Sequence, residues 1–89
     1  MIQLKNNLSL SADKDGSKIR LVVYQFDEEW VCRKETKKAM NEFLEQEEAR
    51  IFKGRLQLYK YKDELTVEVK GSSVGIISVK QFSQMILLL

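Results

Sequence analysis

The chain has no histidine and no proline, one cysteine and four scattered glycines among 89 residues. Without histidine there is no Ser–His or Cys–His pair, no imidazole base and no His-containing metal site. Cys32 alone closes no internal disulfide and builds no thiolate cage. Lying between Val31 and Arg33 in an apolar-rich segment, it reads as a small core residue rather than a nucleophile. Such cysteine usage is that of a reducing, cytoplasmic compartment. Gly16, Gly54, Gly71 and Gly75 never combine into a phosphate-cradling loop. Asp27-Glu28-Glu29 lacks the ligand spacing and the glycine of a calcium loop, so it reads as a solvated turn. The expectation is a protein without catalytic residues, metal or cofactor, acting by binding.

Two further features are missing. Fifteen Lys and Arg against thirteen Asp and Glu leave a net charge of only +2, so no blanket field announces a polyanion partner. No apolar run approaches the roughly 20 residues that a bilayer span needs. The opening MIQLKNNLSLSADKDG also lacks the apolar core of a secretory signal, so the sequon Asn7-Leu8-Ser9 implies no glycan. Lys62-Asp63-Glu64-Leu65 spells a retention signal, but an internal one, and reads as a turn.

What is present suits one small domain over residues 1–89, with 44% hydrophobic and 31% charged residues. A chain this short buries only about three-fifths of its unfolded surface, so its core is thin and a homodimer or other partner is expected. Leu8, Leu10 and Ala12 alternate with Ser9 and Ser11, the period of a half-buried strand. Asp13-Lys14-Asp15-Gly16 is a hairpin turn, Lys18 to Phe26 a second strand, and Trp30 to Arg33 a short third. From Glu35 to Phe52, Met40, Phe43, Leu44, Glu47 and Ile51 fall at helical spacing, with Gly54 placed to close the helix and Arg50 and Lys53 suiting its negative end. Arg55 to Lys62, Leu65 to Lys70 and Val74 to Ile77 alternate as three more strands. Ser78-Val79-Lys80-Gln81 is a capping box, flanked by Ile77 and Phe82 at staple positions. The predicted fold class is therefore α+β, an antiparallel sheet with two helices on one face, in the order βββα–βββα. An offset of 43 sets Ala39 over Phe82 and Phe43 over Ile86, so residues 1–53 and 54–89 read as a possible degenerate repeat.

Strand parity sorts the faces. Leu8, Leu10, Ile19, Leu21, Val23, Leu56, Leu58, Leu65, Val67 and Val69 form the set predicted to lie beneath the helices. The opposite set mixes Ser9, Ser11, Arg20, Val22, Tyr24, Phe26, Arg55, Gln57, Tyr59, Tyr61, Thr66, Glu68 and Lys70. Three readings fit it. Rings interleaved with cations suit single-stranded nucleic acid, with bases stacking and phosphates taking the charges. The same composition suits a protein interface. Alternatively, one-residue bulges flip the parity and bring some rings into the core. On composition alone the small net charge puts the protein interface ahead.

Arg33, Lys34, Lys37 and Lys38 gather where the first helix begins, opposing its macrodipole, while Glu45, Glu47 and Glu48 follow. They read either as an anion site or as a solvated surface whose screened terms are small. Lys53, Arg55, Lys60 and Lys62 add a second basic stretch. Met85-Ile86-Leu87-Leu88-Leu89 is apolar around most of its helix, which favours a second subunit or a bound protein.

The segment Gly75-Ile76-Ile77-Ser78-Val79-Lys80-Gln81-Phe82-Ser83-Gln84-Met85-Ile86 resembles the closing strand and helix of the single-stranded-DNA-binding group that includes positive cofactor four, Whirly and PUR-repeat proteins. There a Gly-Ile-rich strand ends in Ser and enters a helix with an aromatic residue about four positions on. Arg55 to Gly71 looks like that group's basic, aromatic-bearing hairpin, so the resemblance covers residues 55–86. The group places four strands ahead of its helix, one more than each half shows in this reading. The resemblance implies a curved sheet binding single-stranded DNA or RNA, with Arg55, Tyr59, Tyr61 and Lys70 as the nearest counterparts of its contacts. It raises single-stranded nucleic-acid binding to the leading expectation. Arg20, Tyr24, Arg55, Tyr59 and Tyr61 would touch the strand, and Lys34, Lys37, Lys38, Lys60 and Lys62 would hold phosphates. The alternative is a protein-interaction module, an adaptor or inhibitor using the same face.

Overall fold

Eight strands, interrupted by two short helices, make up most of the chain. The computed structural model describes residues 1–89. The order is β1 (Ile2–Gln3), β2 (Leu8–Asp15), β3 (Lys18–Gln25), β4 (Glu28–Thr36), α1 (Lys37–Glu45), β5 (Glu48–Ile51), β6 (Leu56–Tyr61), β7 (Glu64–Val69), β8 (Ser72–Ser78) and α2 (Val79–Leu87). Strands β1 to β4 form one antiparallel meander and β5 to β8 a second. The α+β class and the antiparallel pairing agree with the sequence reading. The expected single sheet is two sheets, and the order is ββββα–ββββα. Neither helix is long and apolar enough to cross a membrane.

All ten residues assigned to the inner face are buried. With Met40 and Phe43 of α1 and Phe82 and Ile86 of α2 they belong to one apolar cluster shared by both halves. Burying a Leu or Phe side chain contributes about 1.5–3 kcal/mol, so this shared cluster dominates the stability of a thin fold. Thr36 and Ser78 cap the helices in the same way, each hydroxyl accepting from the backbone N–H three residues on. Gln81 makes no return bond, so the expected capping box is half formed. The caps lie 42 residues apart, which places Met40 over Phe82, both fully buried, in place of the offset of 43.

Helix α1 is shorter than the predicted span of 35–52. It ends at Glu45, because Glu45, Glu47 and Glu48 crowd the negative end of the macrodipole. From Glu48 the chain alternates exposed and half-buried residues and pairs with β6, so residues read as the end of a helix form an edge strand. Arg33 and Lys34 accordingly lie on β4 and Arg50 on β5. Lys53 and Gly54 fall in the β5–β6 loop, where Gly54 takes a φ of 101°. The architectural division falls between α1 and β5.

The two halves share a finer detail. The β3–β4 ladder slips between Val23 and Tyr24, leaving Trp30 as an extra residue, and the β7–β8 ladder slips between Val67 and Glu68, leaving Val74. Each bulge lies just beyond a two-residue turn with both φ values positive, Phe26-Asp27 in one half and Lys70-Gly71 in the other. A phenylalanine at φ 50° is strained by about 1–3 kcal/mol, and Phe26 is also 69% exposed.

Candidate nucleic-acid interface

The two sheets meet along two seams, and comparing the seams locates the site. At the first, the loop after β1 lies flush on β8. Lys5 N–H donates to the Val74 carbonyl at 2.9 Å, and Leu4 packs on Gly75 so closely that a Cβ there would stand 2.9 Å from Leu4 Cδ2. At the second, the equivalent loop before β6 faces edge strand β4, where Val31 takes the place that Gly75 has on β8. This seam stands open. A groove of about 290 Å³ runs between Trp30, Val31, Cys32 and Arg33 on one side and Arg55 and Leu56 on the other.

The groove is basic and aromatic. The Arg33 guanidinium carbon lies 5.8 Å from the Phe52 ring centroid, and Lys70 Nζ lies 5.3 Å from the Trp30 ring. Both distances are within cation–π range, which holds each cation beside a ring face. Arg33, Arg55 and Lys70 make no ion pair, whereas other cations on the sheets are engaged. The groove therefore offers positive charge that no carboxylate neutralises.

The outer faces differ from this. On the first sheet Arg20 bonds Asp13 at 2.9 Å and also Glu29, and these bonds hold the guanidinium firmly protonated. Lys34 pairs with Asp15 at 2.6 Å and lowers the Asp15 pKa. Val22 points outward yet is fully buried, in one row with Ser11 and Cys32. On the second sheet the Tyr59 hydroxyl donates to Glu48, which together with burial raises the Tyr59 pKa. Arg50 lies 5.0 Å from the Tyr59 ring and bonds Glu68 at 2.7 Å and Gln57 at 3.1 Å, and the Glu68 bond raises its pKa. These exposed networks orient side chains but are screened by solvent.

The residues singled out from sequence thus separate. Arg55 lines the groove, and Lys70 reaches it through Trp30. Tyr59, Tyr61 and Lys62 share the outer side of the second sheet, with Lys62 Nζ 5.4 Å from the Tyr61 ring. Arg20, Tyr24 and Lys34 belong to the first sheet, so the three tyrosines form no single platform. Lys37 and Lys38 are exposed on the first turn of α1. Lys60 requires correction. It is 5% exposed, it shares the inner row with Ala49, Leu65 and Ile77, and its ammonium donates to the Gln46 carbonyl at the end of α1. It holds a helix end and no phosphate.

Cys32 also departs from expectation. The bulge at Trp30 shifts parity along β4, so the thiol is exposed and lines the groove. Trp30 and Phe52 carry no site expectation from the sequence, and Arg33 enters there only as part of the basic cluster where the first helix begins. Strand β4 runs on to Thr36, past its expected end at Arg33, over a polar stretch that carries no apolar alternation to signal it. Comparison with family models, curated proteins and solved structures finds no match to this chain.

Proposed function

We propose that this protein binds single-stranded nucleic acid in the open seam between its sheets and performs no chemistry. The observation that carries the reading is a groove lined by Trp30 and the unpaired Arg33 and Arg55, with unpaired Lys70 held against the Trp30 ring and the Phe52 ring against Arg33. An unpaired base stacked on such a ring gains about 1–3 kcal/mol, and the cations meet the phosphates on either side. A recessed slot of this size takes splayed bases, whereas a duplex keeps its bases stacked inside. The closed seam is an internal contrast: there Leu4 packs directly on Gly75 and Val74 stands where the open seam has Trp30, so no ring-lined slot is left. Four strands ahead of each helix match the strand count of the group that residues 55–86 resemble, which supports the reading.

One observation favours the alternative of a protein partner. Strand β4 is nine residues long and forms a sheet edge, so an extended segment of another protein has a row of backbone groups to pair with. The proposal includes a homodimer, supported by Leu87 and Leu88, 77% and 89% exposed at the end of α2. It also includes a reducing cytoplasmic setting, in keeping with an exposed free thiol.

Labelled single-stranded oligonucleotides titrated at several salt concentrations test the function. Three phosphate contacts predict a slope of log K against log salt of about −2. Replacing Arg33, Arg55 and Lys70 with alanine should abolish binding at moderate salt. Absence of binding at low salt, or full binding by the triple variant, refutes the reading. Sizing chromatography tests the dimer, and a monomeric elution volume overturns it.

A further inference from the structure

A second, smaller pocket lies outside the groove, and the architectural repeat shows what it lacks. Lys14 and Lys60 are counterparts. Each is the penultimate residue of the strand entering a two-residue turn, each lies on an inner row, opposite Ile19 and Leu65 respectively, and each faces the end of a helix. Lys60 is buried and bonded to the carbonyl that ends α1. Lys14 is exposed and has no hydrogen bond or ion pair, although Leu89 beyond α2 comes to the same pocket. Lys18 and Lys37 line that pocket as well, also without ion pairs. The nearby carboxylates are engaged elsewhere, Asp15 with Lys34 at 2.6 Å and Glu35 with the Thr36 N–H at 2.9 Å. Three lysines from three elements therefore line one pocket, none of them in an ion pair, with Asp15, already paired to Lys34, the one carboxylate acting on Lys18 from a distance.

We propose that this pocket binds a phosphate group. Its volume of about 110 Å³ has room for one small anion, and its Ile19 and Leu89 walls strengthen a charge interaction by excluding water. Three positive charges match a multivalent anion better than a carboxylate, and a phosphate monoester carries about −1.5 to −2 at neutral pH. Lysine suits this role as a mobile point charge that needs no planar partner. The Ser17 hydroxyl supplies a further donor. The phosphate is either free inorganic phosphate or the terminal phosphate of a polynucleotide. The site stands independently of the groove, since none of its residues belongs to the groove.

The test is a titration with inorganic phosphate, with chloride at matched ionic strength as control, following the backbone amide resonances of Gly16, Ser17, Lys18 and Lys37. Saturable shifts confined to this set are expected with phosphate and not with chloride. Lys14→Gln and Lys18→Gln should each weaken binding about fivefold, and the double variant about 25-fold. Arg33→Ala with Arg55→Ala should leave it unchanged, which separates failure of this site from failure of the groove. Shifts that do not saturate, that chloride reproduces, or that survive in the double lysine variant overturn the proposal. Oligonucleotides with and without a terminal phosphate then distinguish the sources. A preference for the phosphorylated end that the double variant loses assigns the strand terminus, and equal affinity alongside inorganic phosphate binding assigns the free anion.

Discussion

Gly75→Ala tests the closed seam through a change of sign. The added Cβ would stand 2.9 Å from Leu4 Cδ2 and 3.3 Å from Leu4 Cβ, closer than packed side chains tolerate. Overpacking of this kind costs about 1–3 kcal/mol. The φ of Gly75 is not positive, so alanine adopts the backbone without strain and recovers about 0.4–1 kcal/mol by restricting the unfolded chain. The net loss should be about 0.5–2 kcal/mol, and each kcal/mol lowers Tm by about 4–8 °C in a domain of this size. Leu4→Ala, at a position only 9% exposed, should cost about 2–5 kcal/mol alone. In that background the obstruction is gone, and Gly75→Ala should become stabilising by about 0.4–1 kcal/mol. Urea unfolding of all four proteins completes the cycle. Additive effects, or a neutral Gly75→Ala, would refute the close approach of Leu4 and with it the contrast between the seams.

Other consequences are open to direct measurement. Lys60→Met removes the ammonium that holds the end of α1 and should lower stability by about 1.5–3 kcal/mol in urea unfolding, with oligonucleotide affinity unchanged; lost affinity in the folded variant would put Lys60 back among the phosphate contacts. Phe26→Asn with Asp27→Gly relieves two left-handed residues and should raise stability by about 1–3 kcal/mol, measured as the urea midpoint at constant slope. The Tyr59 pKa is raised by its bond to Glu48, so the stability this bond provides is complete below the ordinary tyrosine pKa and falls as pH rises through the folded-state value. One of three tyrosines should therefore ionise late in an alkaline absorbance titration, and both Tyr59→Phe and Glu48→Gln should remove that phase.

The inner face was legible because i, i+2 alternation of Leu, Ile and Val has one burial solution. Lys60 sits in that alternation after Leu56 and Leu58, so the parity signal was present, and the ordinary preference of a charge for solvent pointed the other way. Strands β1 and β5 were not legible, since two and four residues carry no period of their own and become strands only by pairing with β2 and β6. Helix α1 was overextended because Glu47 and Ile51 kept helical spacing past the point where the acidic run ends the helix. The groove was the least accessible feature. Its walls come from β4 and from the start of β6, on different sheets, and the bulge that exposes Cys32 is a relation between two strands. Arg55 was identified from its basic strand and Arg33 from the basic cluster ahead of the helix, while Trp30, and the grouping of all three, needed the seam.

Trp30 is the only tryptophan in the chain and forms one wall of the groove, so its fluorescence reports occupancy without a label. Titration with a single-stranded oligonucleotide should quench Trp30 emission saturably, with an affinity that falls as salt rises and a midpoint equal to that of direct binding. Binding that leaves Trp30 emission unchanged, or no binding at low salt, would contradict a strand-binding groove between the sheets.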